Sequence, residues 1–218
     1  YKAKIIFVNA STLNSTWLLM NSATDVWEGG LGSSSGALGK YLMDHHLGNR
    51  AGGTIEGYED KYTFGRRANG FYIPRFRNIN GEKRDYIRGF GYQGSANRAG
   101  WGHDVAEVSI GGKFKDALTE PGGWSIGMMG FGEMLPDETN KVTLDKTKKD
   151  KWGLNVLNID CELKDNEIKM RKDILEDAKE MLERAGAKNV QGYEGDGTPG
   201  RGIHEMGTAR MGRDPKTS

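Results

Sequence analysis

The stretch DNEIKMRKDILEDAKEMLERAG, residues 165–186, limits the architecture more than any other part of the chain. Ile168, Leu175, Ala178, Met181, Leu182 and Ala185 recur at helical spacing and mark an apolar stripe. Asp165 can cap the start, and Gly186 can end the helix in a left-handed turn. Glu167 to Arg171 and Glu176 to Glu180 carry mixed charge and read as its outer face. A helix with one apolar stripe must lay it against another layer. That layer is legible as short runs in which aromatic and aliphatic residues alternate with glycine and charge. They are GFYIPRF (70–76), YIRGFGYQG (86–94), WSIGMMGFGEML (124–135), KVTLD (141–145), GLNVLNIDCEL (153–163) and KNVQGYE (188–194). Such runs predict strands of a mostly antiparallel sheet. DETN (137–140) and KTKKDK (146–151) read as polar turns and a solvated face. The expected class is therefore α/β in the broad α+β sense, an antiparallel sheet with flanking helices.

The beginning of the chain has another grammar. IIFV lies within residues 3–9, a continuous apolar run that predicts a strand buried on both faces. Ala10 and Ser11 make a compact turn, and Asn14 or Ser15 can cap a short helix through TWLLMN. Strand, small-residue turn and helix form half of a nucleotide-binding unit. The glycine fingerprint GxGxxG does not follow this run, and GGLGSSSGALG (29–39) has the wrong spacing for a phosphate loop. It reads as a flexible turn before KYLMDHH. A chain that opens on its most buried strand and stops just after its most unusual stretch is expected to be an internal piece of a longer protein. A short domain with its first strand tucked into a sheet is the alternative.

Several function classes are disfavoured. Lys+Arg 31 against Asp+Glu 30 leaves a net charge of +1, which gives no strong field for nucleic acid. The basic-aromatic stretch 64–77 is more plainly an outer strand than an RNA surface. No apolar run approaches the roughly 20 residues of a membrane helix. Cys161 is the only cysteine, so neither an internal disulfide nor a cysteine zinc site is expected, and the compartment stays open. His45 and His46 are adjacent and point to opposite sides of an extended chain, a poor start for chelation. His103 beside Asp104 reads as a turn histidine. No Ser/His/Asp arrangement can be ordered from the sequence alone, and no P-loop ending is present. Gly 33 of 218 is roughly twice the average usage of about 7% and has no repeat period. It fits tight turns and close backbone approach.

One stretch is not absorbed by fold alone: RGIHEMGTARMGRDP, residues 201–215. A lone imidazole among glycine turns leaves room for a ligand, and imidazoles as a class serve as proton acceptors. Taken alone, His204 can be a base, a metal ligand or structural filler.

HEMGTARMG (204–212) resembles the C-terminal signature of the glucose-methanol-choline (GMC) family of flavin oxidoreductases, a histidine, two residues, Gly-Thr, then Met-Gly. Three further stretches agree in order. VNASTLNSTWLLMNS (8–22) is similar to the family's strand–turn–helix, SSSGALGKYLMDHH (33–46) to its x-L-M-D-H segment, and 134–163 to its Asn-x-Val-x-Leu turn and strand. Asn155 stands where the family commonly has proline. The resemblance implies part of an FAD-binding domain at 1–47, a substrate-binding domain at 48–195, and a return to the FAD domain at 196–218. It implies FAD as cofactor, with Ala10, Asn14, Gly207, Thr208 and Arg210 toward it and no metal. His204 becomes the base in oxidation of an alcohol, sugar, sugar acid or polyol, and Arg210 a stabiliser of reduced flavin. An electron-acceptor protein, a quinone or oxygen would complete the cycle. Trp101, Trp124, Phe131 and Tyr92 are candidate sugar-stacking rings. The alternative is a non-catalytic β-rich carbohydrate-binding module.

Overall fold

A computed structural model describes residues 2–61, 70–100, 110–119, 121–214 and 216–217. The chain forms two compact units. One comprises Tyr1–His46, Glu133–Lys164 and Thr198–Ser218; the other comprises Leu47–Gly132 and Asp165–Gly197. Residues 133–164, which the sequence reading put within 48–195, cluster with the first of these.

The second unit is a sheet under a helix. Strands β1 (Arg50–Ile55), β2 (Gly70–Ile73), β3 (Phe90–Arg98), β4 (Trp124–Gly132) and β7 (Lys188–Tyr193) form a five-stranded sheet in the order β2-β3-β4-β1-β7. Every pairing is antiparallel, as the alternating pattern predicts. A short helix α2 (Gly112–Ala117) precedes β4. Helix α3 (Asp165–Arg184) covers one face of the sheet. Its buried positions Met170, Ile174, Ala178 and Leu182 follow helical spacing and meet Phe90, Tyr92, Met128 and Ala51. Phe76, Phe90 and Tyr92 pack as mutual ring contacts at 5.5–6.3 Å. Gly130 lets α3 approach, because a Cβ there would strike the Ile174 side chain.

The α3 seam corrects the sequence reading. Ile168 is 47% exposed, whereas Glu167, Arg171 and Asp177 are buried. Specific partners offset their burial. Arg171 donates to the carbonyls of Leu47 (2.8 Å) and Gly195 (2.5 Å) and to Asn49 Oδ1 (2.6 Å). Asp177 accepts Arg77 Nε at 2.8 Å and Nη2 at 2.5 Å. Burial draws the Arg171 pKa down, against the pull of Glu194 and Asp196.

The first unit contains helix α1 (Ser11–Met20) and the antiparallel hairpin β5 (Lys141–Lys149) and β6 (Asn155–Asp160). The predicted strand at 3–9 is absent. These residues are irregular, with Ile5 72%, Ile6 72% and Phe7 81% exposed. A doubly buried strand needs neighbours on both edges, and none of the described strands pairs with this run. Helix α1 starts earlier than expected, and Asn14 lies inside it rather than at its cap. The Ser15 hydroxyl instead accepts the Ala10 N–H at 3.1 Å. β5 continues through the predicted turn at 146–149. Asp145 accepts the Thr147 and Lys148 N–H groups at 2.8 and 2.9 Å within a register shift, so the strand resumes beyond it.

Candidate active site

Residues 39–46 thread through the first unit as an extended segment. On one side Val142 N–H reaches the Gly39 carbonyl (2.7 Å) and Leu42 N–H reaches that of Asn140 (2.9 Å). On the other, Met43 and Met206 exchange both backbone bonds at 2.9 Å, and Gly39 N–H reaches the Thr208 carbonyl at 2.7 Å. Alternation then buries Leu42, Asp44 and His46 and leaves Tyr41, Met43 and His45 half-buried.

This segment supports the His204 loop. Asp44 Oδ2 accepts the N–H of Gly200 (3.0 Å) and Gly202 (2.7 Å), and Oδ1 accepts those of His45 (2.7 Å) and His204 (3.3 Å). Asp44 is 5% exposed. Gly202 has no room for a Cβ, because the Asp44 carboxylate and the His45 carbonyl occupy that space. His204 itself is exposed, and its ring meets the His45 ring edge-on, with centroids 5.0 Å apart and planes at 78°. Ile203 and Met206, its neighbours along the chain, are exposed apolar groups. Solvent reach and an ordered backbone suit an imidazole to proton transfer.

The other sequence-predicted residues are dispersed. Gly207 (φ 105°) packs so closely on the Tyr41 carbonyl that only glycine fits. The Thr208 hydroxyl is fully buried and bonds the Thr16 hydroxyl at 2.7 Å. Arg210 lays its guanidinium over the Tyr41 ring at 4.1 Å and borders an apolar recess of about 320 Å³ with Leu19, Leu31 and Leu38. Ala10 and Asn14 border a separate recess with Trp17 and Trp152. Asp44, the support of the His204 loop, is the residue that sequence reasoning missed. Its signal was the D of the x-L-M-D-H resemblance.

Among the described residues no group of His, Cys, Asp or Glu is placed to hold a metal ion. Burial, then the charges of Asp44 and Asp160, push the Cys161 thiol up to about 11, which makes it a poor nucleophile at neutral pH.

A second candidate lies on the sheet face of the other unit turned away from α3. Gly70, Ser95, Gly127, Gly52 and Gln191 are successive cross-strand partners, so four small residues and one amide form a furrow across all five strands. One bank is Gln93, Met129, Arg50 and Tyr193, likewise partners in register, with Arg50 stacked on the Tyr193 ring at 5.3 Å. The trough measures about 600 Å³. The predicted stacking rings contribute little. Tyr92 is fully buried on the helix side and donates to the Ile174 carbonyl at 2.7 Å. Trp124 is tied to the Tyr58 carbonyl at 2.7 Å, and Phe131 is half-buried. Trp101 and His103 lie outside the described residues.

Comparison with known proteins agrees with the resemblance. Residues 136–218 match the family model described as GMC oxidoreductase. The chain is also 32% identical over 225 residues to 2-methyl-1,2-propanediol dehydrogenase of Mycolicibacterium austroafricanum. The match covers 99% of this chain and 40% of that relative, so the chain spans about two fifths of its length.

Proposed function

We propose that this chain, whose residues 136–218 match the GMC oxidoreductase family model, forms the base-bearing part of an FAD-dependent enzyme oxidising an alcohol to a carbonyl. The observation that carries the proposal is the exposed His204 imidazole on a loop fixed to a buried carboxylate. An imidazole nitrogen of His204 takes the hydroxyl proton as the carbinol carbon loses its hydrogen with two electrons and becomes a carbonyl carbon. FAD, when bound, supplies the acceptor for that hydride.

The residues present fit such a cofactor. The first turn of α1 has no side-chain cap, so its N–H groups beside Ala10 and Asn14 suit an anionic group. The recess at Arg210 is lined by leucines, alanines and glycines with one cation among them, suited to a ring system that gains negative charge. Gly207 and Thr208 support this site through the backbone that carries them. The substrate is a small alcohol, sugar, sugar acid or polyol. The relative's name favours a diol, and 2-methyl-1,2-propanediol has hydrogen only on its primary carbinol carbon, so only that end can lose hydride. Electrons leave to a separate acceptor, a protein or a quinone.

His204→Ala in the full-length flavoprotein should lower flavin reduction by about 10²–10⁴-fold with flavin still bound. Wild-type reduction by the alcohol would refute the base assignment. A non-catalytic carbohydrate-binding module is the second reading, favoured by the furrow across the sheet, where Gln93, Arg50 and Gln191 border a floor of small residues. A full-length protein that binds polyols but holds no flavin after reconstitution would favour it.

A further inference from the structure

We propose that Asp44 is a positioning residue for His204, acting through the backbone of residues 200–204 rather than on the substrate, with His45 completing the same device. This rests on the reading of His204 as the base.

Four N–H groups, from Gly200, Gly202, His204 and His45, converge on the two oxygens of one buried carboxylate. Hydrogen bonds to an ionised acceptor are stronger than neutral ones, and they keep a desolvated charge satisfied. The loop they hold has a backbone its sequence does not favour. Ile203, immediately before His204, sits at φ 56°, a region β-branched residues avoid. Such a residue persists only where its surroundings over-determine it. Asp44 provides that determination from inside, since its carboxylate fills the space where a Cβ on residue 202 would lie. The Met43–Met206 bridge holds the loop two residues beyond His204. The histidine is therefore fixed at its own N–H and again just after it.

His45 adds the ring. It follows Asp44 directly, and its imidazole edge rests against that of His204. An exposed imidazole on a free glycine-rich loop would sample many orientations. Here the backbone is set by residue 44 and the ring plane is bordered by residue 45. Misplacement of a reacting group by about 1 Å can cost on the order of 10²-fold in rate.

The test uses the full-length flavoprotein with Asp44→Ala, Asp44→Asn and His204→Ala. Amide hydrogen exchange at residues 200–204, flavin content, kcat and KM are read for each. Asp44→Ala should remove protection at Gly202 and His204 and lower kcat about 10²-fold, with KM and flavin content near wild type. Asp44→Asn keeps one acceptor oxygen, so it should fall between the two in both exchange and kcat. His45→Phe should keep the edge contact and most of the activity, whereas His45→Ala should lose more. Unchanged loop exchange and unchanged kcat in Asp44→Ala overturn the proposal. So does a loss of flavin in step with kcat in the milder Asp44→Asn, which would mark a general structural role. An active His204→Ala would instead overturn the base reading, and the exchange data would separate the two failures.

Discussion

Phe90, Tyr92, Met170, Ile174, Ala178 and Leu182 fill the interior of the sheet-and-helix unit, whereas the unit with His204 buries Thr16, Asp44, His46, Asn140 and Thr208 beside, among the described residues, four buried apolar ones, Ala37, Leu42, Met134 and Val142. The first interior is joined by area, which has no direction. The second is joined by hydrogen bonds that fix angles as well as distances: Asp44 to a loop, Thr16 to Thr208, and Asn140 to both backbone groups of Glu162 at 3.0 Å. Buried polar groups of this kind stabilise only when every partner is present. A directional interior suits a unit that, on the proposed function, aims one imidazole. An apolar interior suits a platform. The sheet unit also buries Arg171 and Asp177, but these lie along α3 beside an interior that remains apolar.

The comparison can be broken by substitutions of opposite kind. The largest effect is expected in the apolar interior. Ile174 is fully buried, so Ile174→Ala should destabilise by about 2–5 kcal/mol in chemical unfolding. A cost below 1 kcal/mol would mean that α3 is not anchored there. Gly130→Ala should cost about 1–3 kcal/mol by overpacking against Ile174. Combining it with Ile174→Val should recover part of that loss, and strict additivity would show that the two do not touch.

The polar interior should respond differently to paired change. Thr208→Val leaves the Thr16 hydroxyl buried without its partner and should cost about 1–3 kcal/mol. The double change Thr16→Val with Thr208→Val should return close to wild type. A double variant as unstable as the sum of the singles would show that the hydroxyls do not act as a pair. The smallest effect is a pH dependence in the hairpin. Backbone N–H groups of Lys148 and Thr147 hold the Asp145 carboxyl down at about 2, from 3.8. Its contribution is therefore fully present above the unfolded value and is lost as pH falls from near 4 through about 2. Asp145→Asn should remove that acid dependence from hairpin amide exchange, and an unchanged profile would assign it elsewhere.

The same contrast explains what could be read in the sequence. Helix 165–184 and the antiparallel strands were legible because apolar residues recur with the period of the element they form. Glu167 and Arg171 were misread as outer-face residues because helical spacing does not reveal that Leu47, Asn49 and Gly195 wait opposite Arg171. Strand β1 was missed because RAGGTI looks like a loop. Its glycines are tolerated by pairing on both edges, to β4 and β7. IIFV was legible as apolar and misleading as a strand. His204 could be found from its glycine-rich setting, but Asp44 could not be linked to it, since the pair lies 160 residues apart.

The most direct test of the account is stopped-flow reduction of the flavin in full-length His204→Ala, with a small diol as the reductant. A rate lowered by about 10²–10⁴-fold in a protein that still holds its flavin is the predicted result. Reduction at the wild-type rate would contradict it and remove His204 from the chemistry.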